Sequence, residues 1–231
     1  MGKYLELMIG NDIVYMKDAD NLNRSGQKRF LDKIFTPSEQ RLISKSDLPD
    51  YMIWALWSIK ESAYKVLNKF TGVRLYSPLS YEIQLNSVLL KNKLKETSSG
   101  MIKCEQISDV EFLESSVSVS EFKLFAKTLI TSNFIYSNAS SALSLLHRAK
   151  WSIEETDETK PEQQSYATRE LVKKQIAENK GIELSQITIS TEGTKGQMGP
   201  PFVYINNKQN NKINLSLTHD GPYLAYSYLL F

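Results

Sequence analysis

Between Asp50 and Asn68 the chain sets Trp54, Trp57, Glu61 and Lys65 three and four residues apart, a spacing that predicts a long helix carrying all four along one flank. Strand patterns stand on either side of it. Upstream, Leu5, Leu7 and Ile9 alternate with Glu6 and Met8, so a strand is predicted through Gly10 to Val14, ending near Asp12. Thr36-Pro37-Ser38-Glu39 reads as a capping box with proline at the first helical position, opening a short helix to Ser44. Downstream, runs such as Tyr81 to Leu85 and Phe122 to Phe125 lie within a segment, Tyr81 to Tyr136, that reads as antiparallel strands. Glu154 to Ser165 is acidic, contains Pro161 and has almost nothing apolar, so it reads as a linker. A helix from Tyr166 to Lys180 is then predicted to end at Gly181. A hairpin follows, Ile213 to Thr218 and Tyr223 to Phe231 around Asp220-Gly221.

At 231 residues and 41% hydrophobic content, the chain can bury a substantial core. A net charge of +2 gives no global pull toward nucleic acid or membrane, and neither is expected as a partner. Cys104 is the only cysteine, which excludes an intrachain disulfide and leaves too few thiolates for a zinc finger. A reducing cytoplasm is the expected compartment. Met1 to Gly10 lacks the apolar stretch of a signal peptide, and no apolar run approaches the roughly 20 residues that span a bilayer.

Three clusters put charge where an ordinary fold does not ask for it: Gly10-Asn11-Asp12, Trp57 to Lys65, and Ser216 to Asp220. Singly, each has a plain explanation. Asp12 reads as a solvated strand-end acid, and Glu61 with Lys65 as an i,i+4 pair that stabilises a helix by roughly 0.2 to 0.5 kcal/mol. The tryptophans read as core, and His219 with Asp220 as a turn.

Together the clusters resemble the 4'-phosphopantetheinyl transferase superfamily, whose signatures are a strand ending in Gly-x-Asp and a helix carrying Trp/Phe-Ser-x-Lys-Glu-Ser/Ala-x-x-Lys. Gly10-Asn11-Asp12 and Trp57 to Lys65 match both. The resemblance implies an α+β fold of two similar halves, each an antiparallel sheet packed on a long helix, in a pseudo-dimeric arrangement. In the longer, surfactin-type members a helix with an arginine, a Gly-Lys-Pro turn and a Ser-His strand precede Gly-x-Asp. Here Arg169, Gly199-Pro200-Pro201 and Thr218-His219 come last, so the chain reads as a circular permutation. Residues 1–138 would form the first half, 139–165 a linker and 166–231 the second half. A rival reading is the shorter holo-acyl-carrier-protein synthase type with a large central insertion.

The activity so implied is transfer of 4'-phosphopantetheine from coenzyme A to a serine of an acyl or peptidyl carrier protein by a monomer. Mg²⁺ would be held by Asp12 and Glu61, with Glu61 also the candidate base. Lys60 and Lys65 would face phosphate oxygens, with Lys65 on the leaving group. His219, Thr218 and Arg169 would hold the nucleotide's 3'-phosphate. Val14 stands where many surfactin-type members have a third metal-ligating glutamate, Asn11 where they have an apolar residue, and Pro200 where they have lysine, with Lys195 as its possible substitute. The alternatives are a noncatalytic carrier-protein or coenzyme A binder, for which intact Asp12, Glu61 and Lys65 have no purpose, and a metal-dependent phosphoesterase, for which His147 and His219 are too few. Arg24, Lys28, Arg29, Lys33, Arg41 and Lys45 form a local basic excess that would suit an acidic carrier surface.

Overall fold

A computed structural model describes residues 7–86, 102–103, 112–191 and 199–231. The chain opens with β1 (Ile9–Tyr15), followed by helices α1 (Lys28–Ile34), α2 (Pro37–Ser44) and α3 (Pro49–Thr71). Strands β2 (Glu82–Leu85), β3 (Ile102–Lys103), β4 (Leu113–Val119), β5 (Phe122–Ile130) and β6 (Phe134–Ser140) come next. Five of these strands form an antiparallel sheet in the order β1-β6-β5-β4-β2. Helix α3 crosses that sheet, and Ile53, Leu56, Ile59, Ala63 and Val66 supply its buried stripe. Pro49 starts the helix, and Gly72, at φ 73°, ends it in the left-handed conformation. The capping box of α2 forms as the sequence predicts: Thr36 accepts from the Glu39 backbone and the Glu39 carboxylate accepts from the Thr36 backbone.

The rest of the chain contains α4 (Leu143–Arg148), which packs on β5 and β6, then β7 (Lys150–Glu155), α5 (Pro161–Lys180), β8 (Ile187–Thr191), β9 (Pro201–Ile205), β10 (Lys208–Gln209), β11 (Ile213–Asp220) and β12 (Tyr223–Leu230). One sheet runs β11-β12-β7-β3 and a smaller one β10-β9-β8. Val172 and Ile176 of α5 pack on Ile187, Val203, Leu215 and Tyr228. The fold is therefore α+β, with antiparallel sheets and a long helix on each of the two larger ones.

Two boundaries differ from the sequence reading. The expected linker 139–165 holds α4 and β7, and β7 is an inner strand between β12 and β3 because Trp151, Ser152 and Ile153 are buried just ahead of the acids. Helix α5 begins at Pro161, so the polar segment is its exposed first turn, anchored by the buried Gln164 amide donating to Glu158 O and Gly221 O. The two-half division we propose thus assigns 150–155 to the second half. In addition, Leu7 lies outside β1, and Leu5 and Glu6 fall outside the described residues.

Strands β1 and β11, each the outer strand of its sheet, lie side by side. Ile9 shares a buried cluster with Leu229 and Phe231, so the last strand ends close to where β1 begins.

Candidate active site

Gly10 brings β1 against α3. A Cβ there would stand 2.1 Å from the Ser62 backbone oxygen, so the close approach of strand to helix requires glycine. Two residues on, Asp12 faces that helix. Ser58 Oγ donates to Asp12 O over 3.3 Å, and Lys65 Nζ donates to Asn11 O (2.7 Å) and Asp12 Oδ1 (3.2 Å). Thr218 Oγ1, from β11, donates to the same carboxylate oxygen over 3.4 Å. Burial pushes the Asp12 pKa up, against the opposing pull of Lys65, Ser58 and Thr218.

Glu61 sits one turn before Lys65 on α3. Burial, then the negative charge of Asp12, push its pKa up to about 7, with Lys65 and Tyr76 opposing. The Tyr76 hydroxyl is closed off from water and makes no well-aligned hydrogen bond among the described residues. Two carboxylates held this close in a poorly solvated corner repel each other, and Lys65 offsets only part of that repulsion.

On the other side lies a cavity of about 310 Å³ lined by Lys65, Thr218, His219, Arg169 and Ser165. Arg169 Nη1 donates to Ser165 O (2.7 Å) and Ser165 Oγ (2.5 Å), which fixes the guanidinium on the first turns of α5. Burial, followed by the positive charges of Lys65 and Arg169, lowers the pKa of His219. The cavity is thus cationic where it meets the carboxylate pair. A neighbouring cavity of about 230 Å³ shares Lys65 and adds Lys69, Arg74 and Pro200.

Five of the residues singled out in the sequence, Asp12, Lys65, Thr218, His219 and Arg169, converge here, and Glu61 is coupled to them through Asp12 and Lys65. Lys60 does not. Its side chain is 0% exposed, paired with Glu39 Oε2 at 2.8 Å and donating to Pro78 O (2.8 Å) and Tyr81 O (2.7 Å). It points into the core beneath α2, so the expectation that it meets phosphate oxygens is corrected: at 3.6 residues per turn the i−1 neighbour of Glu61 is rotated about 100° off the Glu61–Lys65 flank. Val14, at the third-ligand position, is buried with Met16 and Ala55. Asn11 is buried as well; its N–H donates to Ser216 Oγ, Nδ2 reaches Tyr136 Oη at 3.4 Å, and Oδ1 has no partner among the described residues. Lys195 and Cys104 lie outside the described residues.

Lys69 was missed in the sequence. It continues the Glu61, Lys65 row by four more residues, and its ammonium donates to Ile9 O (2.5 Å), Asn214 Oδ1 (3.1 Å) and Leu215 O (2.5 Å). Burial and the Lys65 charge push its pKa down to about 7.

Among the described residues there is no group of three or more His, Cys, Asp or Glu side chains that could hold a metal ion. Asp12 and Glu61 nevertheless fit one hard cation. They are oxygen donors without a soft ligand beside them among the described residues, their mutual repulsion is one a cation would relieve, and Mg²⁺ commonly takes one or two carboxylates with the rest of its shell from phosphate and water. No helix among the described residues is long and apolar enough to cross a membrane.

A Gly-x-Asp strand, a Lys-Glu helix and a cationic cavity thus meet at the β1–β11 seam. The sequence profile of the 4'-phosphopantetheinyl transferase superfamily matches residues 8–97. A holo-[acyl-carrier-protein] synthase of Caldanaerobacter subterraneus subsp. tengcongensis is 34% identical over 98 residues, covering 39% of this chain and 73% of that protein. The chain belongs to the 4'-phosphopantetheinyl transferase superfamily and is a transferase of that kind. The profile match takes in Asp12, Glu61 and Lys65 but ends before Arg169 and His219.

Proposed function

We propose that this protein moves 4'-phosphopantetheine from coenzyme A to the serine of an acyl or peptidyl carrier protein, acting as a cytoplasmic monomer. The observation that carries the reading is the meeting of the carboxylate pair with a cationic cavity across the β1–β11 seam. Both walls come from one chain, which supports action as a monomer.

Asp12 and Glu61 would hold Mg²⁺, which when bound supplies positive charge to the pyrophosphate of coenzyme A. His219 and Arg169 bind the nucleotide's 3'-phosphate, and the Thr218 hydroxyl orients Asp12. Lys65, which pairs with Asp12, also directs its charge at the pyrophosphate oxygens. The carrier's serine oxygen forms a bond to the phosphorus nearest the pantetheine while the bond from that phosphorus to the bridging oxygen breaks. The bond's electron pair leaves with adenosine 3',5'-bisphosphate, whose new charge Lys65 neutralises. Glu61 takes the serine proton.

Intact-mass spectrometry of apo acyl and peptidyl carriers incubated with the protein, coenzyme A and Mg²⁺ tests this. At least one carrier should gain the mass of one phosphopantetheine, with adenosine 3',5'-bisphosphate released in equal amount. Unmodified carriers throughout, with coenzyme A intact, would sink the reading.

A further inference from the structure

β1 presents its outward N–H groups to side chains of β11 instead of to a backbone ladder. Ile9 N donates to Asn214 Oδ1 (3.0 Å), Asn11 N to Ser216 Oγ (3.0 Å) and Tyr15 N to Asp220 Oδ2 (2.7 Å). Each pair is 205 residues apart, so the partners advance together along two strands running in the same direction. By strand alternation residues 214, 216, 218 and 220 share one face of β11. Position 218 alone turns its hydroxyl to a side chain, the Asp12 carboxylate. At one end of the row the Lys69 ammonium uses its three N–H groups on Ile9 O, Asn214 Oδ1 and Leu215 O, tying both strands to α3.

A continuous backbone ladder would set the register of two strands by itself. Here each sheet has its own cluster against its helix and a shared cluster of Ile13, Phe134, Tyr136, Trp151, Ile153 and Tyr223 joins the two, but these apolar contacts are non-directional, and polar side chains set the register along the seam. Granted the coenzyme A reading above, we propose that Asn214, Ser216 and Asp220, pinned by Lys69, are positioning residues that hold the Asp12 strand in step with the His219 strand. They thereby fix the separation between the pyrophosphate site and the 3'-phosphate site. Removing one rung leaves each sheet packed on its helix and the shared cluster in place but lets β1 slip locally against β11, so the substrate's two ends no longer find both sites at once.

Asn214→Ala, Ser216→Ala, Asp220→Ala and Asp220→Asn in the full chain test this, with kcat and KM measured for coenzyme A and for 3'-dephospho-coenzyme A. Each alanine variant should lower the preference for coenzyme A about three- to tenfold, the value of one buried hydrogen bond, mostly through KM. Asp220→Asn keeps an acceptor for Tyr15 N–H and should retain most of the preference. Amide exchange gives a readout independent of substrate: Ile9 N–H should lose protection in Asn214→Ala while the β5 amides keep theirs. Alanine variants that melt earlier yet keep the full preference, or unchanged exchange at Ile9, Asn11 and Tyr15, overturn the positioning role. A wild-type protein with no preference for coenzyme A overturns the functional reading itself, before any variant is compared.

Discussion

The half built on α3 and the half built on α5 handle charge in opposite ways. In the first, Asp12 is buried against α3 and Glu61 is half-buried on that helix, and both are acids whose pKa values are pushed up beside Lys65. In the second, Arg169 and His219 are half-exposed bases lining an open cavity, and Arg169 is held by its own helix. Groups that must act on a developing charge are placed where water is scarce and fields are strong; groups that only grip a phosphate tolerate solvent. On the proposed function, the chemistry belongs to one half and nucleotide recognition to the other.

Replacing an acid of the first half should have the largest effect. Asp12→Asn is expected to lower transfer by about 10²- to 10³-fold or more, the scale seen when one preorganised charge-stabilising group is lost. It should not lower the melting temperature. The folded-state pKa of Asp12 is raised above 3.8, so its ionisation opposes folding, and the wild type loses stability as pH rises through the folded value. The variant lacks that loss. A melting temperature well below wild type at neutral pH would mean that Asp12 is structural.

Lys60 and Lys65 sharpen the contrast within a single helix. Lys60→Met strands the buried Glu39 and should cost roughly 3 kcal/mol of stability, read from denaturant unfolding. Lys65→Met should change stability by less than about 1 kcal/mol, since its pair with Asp12 is partly exposed, while lowering kcat. The reverse pattern would exchange their roles.

A smaller effect concerns pH. His219 is held below 6.5 by burial and by Lys65 and Arg169, so in the free protein it charges only at lower pH. A phosphate dianion favours the charged form, and the preference for coenzyme A over 3'-dephospho-coenzyme A should therefore grow as pH falls toward that range. His219→Ala should flatten this dependence; an unchanged slope would assign the phosphate to other groups. Smallest is the charge on α1, where Lys28 and Arg29 are exposed. Reversing both to Glu should raise KM for the carrier several-fold and weaken its salt dependence, with KM for coenzyme A unchanged. Carrier kinetics that ignore the reversal would move the docking face elsewhere.

The first half was more legible in the sequence than the second, for physical reasons. α3 announces itself through periodicity, which placed it from Asp50 to Asn68 against Pro49–Thr71 in the structure, and its signature residues sit at fixed steps on it. Lys60 went wrong because a motif position states conservation of type and not which way the helix turns it. β7 was hidden because its buried residues, Trp151 to Ile153, run straight into acids that mask a strand end. The ladder from Asn214 to Asp220 was invisible because ordinary polar residues acquire meaning only when another strand, 205 residues away, is set beside them.

The division of labour is tested most directly by measuring kcat and KM for coenzyme A with Glu61→Gln and His219→Ala in one assay. Glu61→Gln should lose kcat by about 10²-fold or more, as removal of a general base or charge-stabilising group does. His219→Ala should keep kcat within about threefold while KM rises roughly tenfold, the pattern of lost uniform binding. Loss of kcat in His219→Ala as deep as in Glu61→Gln would contradict the separation of chemistry from recognition.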